Sequence, residues 1–161
     1  GISIDSAQGD IHFVDVLEQM GCTVNREDSG IEVTGPERLD GVDIDMKEIS
    51  DTSLTLAAIA PFARGTVRIR NIEHTRWQET NRIAAMVTEL RKLGVEVEEH
   101  QDGVSITPSE IRPAAIDTYD DHRIAMSFAL IGLKAPGIRI NDPGCVSKTF
   151  PTYFDVLETI R

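Results

Sequence analysis

Two stretches of this chain, Phe13 to Pro36 and Met86 to Pro108, are versions of one segment, and that internal repeat constrains the fold more than any other feature. Gly21 aligns with Gly94 and Gly30 with Gly103, each pair 73 residues apart. Further on, Ile44-Asp45 matches Ile116-Asp117, Asp51 matches Asp121, and Val67-Arg68-Ile69 matches Ile138-Arg139-Ile140, with the offset drifting by a few residues. A third start follows, where Tyr153 to Glu158 echoes Phe13 to Glu18. The repeats run over about 10–72 and 83–142, with a partial unit at 148–161.

Each unit opens with apolar residues at helical spacing (Phe13, Val16, Leu17, Met20; Met86, Leu90, Leu93) and a glycine where a helix would end. Two short alternating strands come next. Ser29-Gly30 and Asp102-Gly103 lie between them and suit a tight turn that needs positive φ. A loop then leads to a second helix, Asp51 to Phe62 or Asp121 to Leu133, and a closing strand follows Gly65 or Gly137. The fold class is α/β, built from helix-strand-strand-helix-strand units. The hairpins exclude a purely parallel doubly wound sheet, whose strands each need a crossover.

A chain of 161 residues, 40% hydrophobic and 27% charged, buries roughly 70% of its unfolded surface and folds as an ordinary globular protein. Its apolar runs, Leu54 to Phe62 and Ile124 to Leu133, are shorter than the ~20 residues that span a bilayer, so a cytoplasmic protein without membrane contact is expected. A net charge of -11 with no Lys/Arg run argues against nucleic acid as a partner. Cys22 and Cys145 form no CxxC and have no histidine at ligand spacing, so reduced thiols and no metal site are expected.

Charged and polar residues concentrate in four loops that precede helices: Asp45 to Ser53, His74 to Ile83, Asp117 to Met126 and Asp142 to Pro151. Equivalent loops of a repeat fold lie at one end, so these residues are expected to converge.

The motifs SAQGD, DMxxISD, RxxETxR, TYDDHR and DPGCxxKTFP, with their spacings, resemble the C-terminal region of the shikimate-pathway enolpyruvyltransferase family. The resemblance covers nearly all of this chain but less than half of a full-length member. It implies two lobes, each of three copies of one α/β unit in an inside-out barrel, with substrates between them. On that basis residues 1–161 are most of one lobe, and the lobe carrying the phosphate-binding serines is a missing partner. The implied reaction joins phosphoenolpyruvate to the 5-hydroxyl of shikimate 3-phosphate and releases phosphate, with no cofactor. By resemblance, Asp51 accepts the hydroxyl proton and holds the shikimate ring, Glu79 acts at the methylene carbon, and His122 supports the site. Arg82, Arg123 and Lys148 grip phosphoenolpyruvate, and Gln78 contacts substrate. Guanidinium forks match carboxylate and phosphate oxygens, and an ammonium adds a compact charge.

Each residue also has a plainer reading. Asp51 ahead of an apolar helix is a possible N-cap, and Glu79 with Arg82 a possible surface ion pair. His122 and Arg123 could form a solvated helix start, Lys148 could flank one, Cys145 suits a turn and Trp77 suits packing. The family commonly has K-E-[ST]-D-R where this chain has Gln78-Glu79-Thr80-Asn81-Arg82, so one positive charge is absent beside the substrate. Two rivals remain: a fragment of the related transferase acting on a UDP-sugar, and a non-catalytic binding or assembly module of the same fold.

Overall fold

The computed structural model describes residues 6–160; the expectations for residues 1–5 and 161 lie outside them. The first unit comprises α1 (Phe13–Gln19), β1 (Thr23–Glu27), β2 (Gly30–Thr34), β3 (Asp43–Asp45), α2 (Ser53–Ile59) and β4 (Val67–Arg70). The second comprises α3 (Arg82–Lys92), β5 (Glu96–His100), β6 (Gly103–Thr107), β7 (Ala115–Ile116), α4 (His122–Ala129) and β8 (Arg139–Ile140), and α5 (Tyr153–Thr159) opens a third. Short 3₁₀ turns precede α2, α3 and α5 at Lys47–Thr52, Glu73–Trp77 and Pro143–Lys148.

The repeat extends to individual hydrogen bonds. Gly21 (φ 94°) and Gly94 (φ 80°) each end a helix. Around them, Cys22 N–H donates to Leu17 C=O and Gly21 N–H to Glu18 C=O, just as Val95 donates to Leu90 and Gly94 to Arg91. This is the paired C-terminal closure that a left-handed residue permits. At the far end of each unit, Asn71 donates to Asp45 at 2.5 Å and Asn141 to Asp117 at 2.7 Å.

Two features differ from the sequence expectation. The hairpin turns fall on Asp28-Ser29 and Gln101-Asp102, because Gly30 and Gly103 already pair with Glu27 and His100 as strand residues. Gly103 is required by proximity: a Cβ there would land on the carbonyl oxygen of Ile69 in the neighbouring strand. The segments expected to be loops also contain β3 and β7, which pair in parallel with β4 and β8 through Ile44–Ile69 and Ile116–Ile140.

Sheet order β3-β4-β6-β5 joins the closing strands of the first unit to the hairpin of the second, with β4 antiparallel to β6. Val67, Ile69, Val104 and Ile106 from this sheet are fully buried together with Leu54 and Leu56 of α2, Ile83, Met86 and Leu90 of α3, and Ile124 and Phe128 of α4. Each such side chain contributes about 1.5–3 kcal/mol through burial. The core thereby fixes α2, α3 and α4 side by side with their N-termini at one end. Among the described residues, no helix is long and apolar enough to cross a membrane.

Candidate functional site

The four polar loops follow the carboxyl ends of β3, β4, β7 and β8, the position where open α/β sheets leave a crevice for ligands. The turn after β3 delivers Asp51, and the segment after β4 delivers Gln78, Glu79 and Arg82. The loop after β7 delivers His122 and Arg123, and the turn after β8 delivers Lys148. All seven candidate residues from the sequence belong to one connected network.

Arg82 is its hub. The first residue of α3 has only 3% of its side chain exposed. Its Nε and Nη2 donate to the two Asp121 oxygens at 2.8 and 3.4 Å, and Nη1 donates to Asp51 Oδ1 at 2.9 Å and to Gln78 Oε1 at 2.6 Å. Burial works against its charge, but the hydrogen bonds and charges of Asp121 and Asp51 outweigh burial and push its pKa up. Asn81, which stands where the family commonly has an acid, caps α3 by accepting from the Ala84 N–H at 3.1 Å.

Asp51 does not cap α2; its carboxylate faces two guanidiniums. Oδ2 pairs with Arg123 Nη2 at 2.8 Å, and Arg123 is about one-third exposed. The capping carboxylate at this end is Asp121, which accepts the Arg123 N–H at 2.9 Å. Asp51 and Asp121 are equivalent residues of the repeat, and both hold Arg82.

Glu79 and Arg82 are not paired with each other. Glu79 Oε2 meets His122 Nδ1 at 3.2 Å and Lys148 Nζ at 2.9 Å, and Lys148 also donates to the Asp120 carbonyl at 2.6 Å. The hydrogen bond to Glu79 holds the Lys148 pKa above the usual lysine value. His122 is buried and stands 3.9 Å from Asp121, which joins this pair to the Arg82 hub.

Glu79, Asp121 and His122 bring three donor atoms close enough to face one cation. Asp121 is committed to Arg82 and to the α4 cap, and the Lys148 ammonium occupies Glu79, so these carboxylate oxygens are already engaged by donors of the protein itself. Beside Asp51 and Arg123, a depression of about 300 Å³ is bordered by Thr55, Met126, Ser127 and Tyr153. A larger hollow of about 740 Å³ lies away from this network, between α1 and the first hairpin.

Cys145 lies buried in the turn before Lys148, and burial pushes its thiol pKa up, which makes it a poor nucleophile. Trp77, expected to pack, is three-quarters exposed next to Gln78. Sequence reasoning overlooked Asp121 as a site residue, although its match to Asp51 in the repeat was a usable signal.

The fold is that of the enolpyruvyl transferases. The chain superimposes with a TM-score of 0.83 on an EPSP synthase from Acinetobacter baumannii, covering 98% of this chain and 40% of that one at 23% identity. It superimposes at 0.70 on the enolpyruvyl transferase NikO from Streptomyces tendae, covering 92% of this chain and 34% of that one at 21% identity. More particularly, the EPSP synthase (3-phosphoshikimate 1-carboxyvinyltransferase) family model matches residues 1–157, and the chain belongs to that family. Relatives named 3-phosphoshikimate 1-carboxyvinyltransferase are 61% identical in Nostoc punctiforme, over 92% of this chain and 35% of the relative, and 54% identical in Aeromonas salmonicida, over 99% and 38%. The chain thus spans little more than a third of the length of these relatives.

Proposed function

We propose that this chain supplies the C-terminal half-site of a transferase that moves the enolpyruvyl group of phosphoenolpyruvate to the 5-hydroxyl of shikimate 3-phosphate. The observation that carries this reading is the Asp51 carboxylate held between Arg82 and Arg123, next to a Glu79 carboxylate shared by Lys148 and His122. On this reading one carboxylate takes a hydroxyl proton and the other exchanges a proton with a methylene carbon, while the partly exposed cations Arg123 and Lys148 stand beside them. In the proposed sequence Asp51 accepts the proton as the 5-hydroxyl oxygen bonds to C2 of phosphoenolpyruvate, and Glu79, entering this step as the carboxylic acid, gives its proton to C3 to form a tetrahedral adduct. The Glu79 carboxylate then takes a proton back from the new methyl group as the C2–O bond to phosphate breaks, and the departing phosphate carries off the proton that Asp51 accepted.

Arg123 and Lys148 hold the anionic substrate, and their charges grow in value as the missing lobe excludes water. His122 keeps Glu79 aimed. Buried between two carboxylates, Arg82 fixes Asp51 from behind, and Gln78 supports it through the same guanidinium. The shikimate phosphate is bound by the missing lobe, and the assembled protein is cytoplasmic.

The test is acceptor specificity in a full-length protein that carries these residues. Phosphate release from phosphoenolpyruvate should require shikimate 3-phosphate and should not occur with a UDP-sugar. Release with the UDP-sugar would favour the related transferase, and binding without turnover of either acceptor would favour a non-catalytic module.

A further inference from the structure

We propose that Glu89 is a positioning residue that tethers the loop carrying Asp121, His122 and Arg123 to α3; the proposal rests on the half-site reading above. Glu89 lies two turns along α3 from Arg82 and so on nearly the same face. It is fully buried. A carboxylate removed from water is costly unless charge and hydrogen bonds replace its hydration, and an apolar residue would fill that helix face more cheaply. The partners that Glu89 collects come from the site loop as well as from its own helix.

Oε1 accepts from the Tyr119 hydroxyl at 2.5 Å and from Lys92 Nζ at 2.8 Å, and Oε2 accepts the Asp117 N–H at 3.1 Å. Lys92 reaches on to the Asp117 carboxylate at 2.6 Å. Between these anchors and α4 the backbone passes through two successive non-glycine residues in the left-handed region, Tyr119 (φ 54°) and Asp120 (φ 56°). Such a turn persists only where its surroundings over-determine it. Here the Tyr119 hydroxyl fixes it from beneath, the Asp121 N–H closes it on the Thr118 carbonyl at 2.8 Å, and its Asp120 carbonyl receives Lys148.

One helix therefore grips the loop twice. Glu89 holds its start, and Arg82 holds Asp121 at its end. Glu89 touches none of the groups assigned to substrate, so its effect is on where Arg123, His122 and Lys148 stand.

The experiment uses a full-length protein carrying these residues, with Glu89→Gln and Tyr119→Phe, the latter removing only the hydroxyl of a partly exposed side chain. Both are expected to raise KM for phosphoenolpyruvate about tenfold, the size of one lost charge-assisted hydrogen bond, with KM for shikimate 3-phosphate unchanged. Hydrogen exchange at the amides of Asp121 and Arg123 should also speed up in both. A lower melting temperature with unchanged KM and unchanged exchange in Tyr119→Phe overturns the proposal, because that pattern is purely structural. Failure of the half-site reading shows differently, as no phosphate release by the parent protein or as release that survives Glu79→Gln. The exchange measurement then still decides whether the tether exists.

Discussion

Asp51 has no free oxygen facing the cations around it: Oδ1 is held by the buried Arg82 and Oδ2 by the more exposed Arg123, at 2.9 and 2.8 Å. Arg82 cannot leave without stranding Asp121, so Arg123 is the partner that an arriving anion can draw away. Substrate binding would thereby release the oxygen proposed as the base.

It follows that Asp51→Ala should separate binding from turnover. Phosphate release in the full-length protein should fall by ~10² to 10⁴, the usual worth of a positioned acid-base group. Inorganic phosphate should bind at least as tightly as before, because its competitor for Arg123 is gone. The chain's single tryptophan, Trp77, exposed beside Gln78, offers a fluorescence readout. Weaker phosphate binding in this variant would contradict the competition.

The two arginines should differ in stability. Arg82→Met leaves the fully buried Asp121 charge without its main partner and should cost about 3–5 kcal/mol in chemical denaturation. Arg123→Met removes one end of a partly exposed pair and should cost ~1 kcal/mol or less. Equal losses would place the structural weight elsewhere.

Gly103→Ala should prevent normal pairing of β4 with β6, since the added methyl meets the Ile69 carbonyl, whereas Gly35→Ala meets nothing within 4 Å and should be tolerated. Soluble yield and melting temperature of the two variants check this. A well-folded Gly103→Ala protein would mean that the two strands stand further apart.

Burial, and then the hydrogen bond to Glu89, push the Tyr119 pKa up to about 12 from 10.0. The fold favours the protonated phenol, so this contribution is fully present below pH 10 and is lost as pH rises toward about 12. Phenolate absorbance should show Tyr119 silent near pH 10 in the native protein. In Glu89→Gln its ionisation should move down, because a neutral amide no longer opposes the phenolate.

Much of this organisation was legible in the sequence. The repeat located α1 and α3, their closing glycines and the equivalent loops, and the motifs named the seven side chains that the fold brings together. The strands β3 and β7 were not legible, because two or three residues carry no alternation and depend on a parallel neighbour for their identity. Arg82 read as a substrate-gripping cation or, more plainly, as half of a surface ion pair, because helix starts are usually solvated. Its depth follows from two carboxylates, one per repeat, that only the packing of α2, α3 and α4 brings to the same guanidinium. Nothing in the sequence singles out Glu89, since periodicity alone does not reveal that its side chain points toward a loop 28 residues away at Asp117.

The most direct test of the half-site account is phosphate release from phosphoenolpyruvate and shikimate 3-phosphate by these 161 residues alone, by the separately expressed N-terminal portion of a full-length relative, and by the two mixed. Correct orientation of two reactants is worth ~7 to 11 kcal/mol, and a site open on one side forgoes much of that. Neither piece should therefore turn over alone. The mixture should release phosphate only with both substrates present, and Glu79→Gln or Lys148→Ala should abolish that release. Turnover by the 161 residues alone, or restored activity indifferent to Glu79→Gln, would contradict the account.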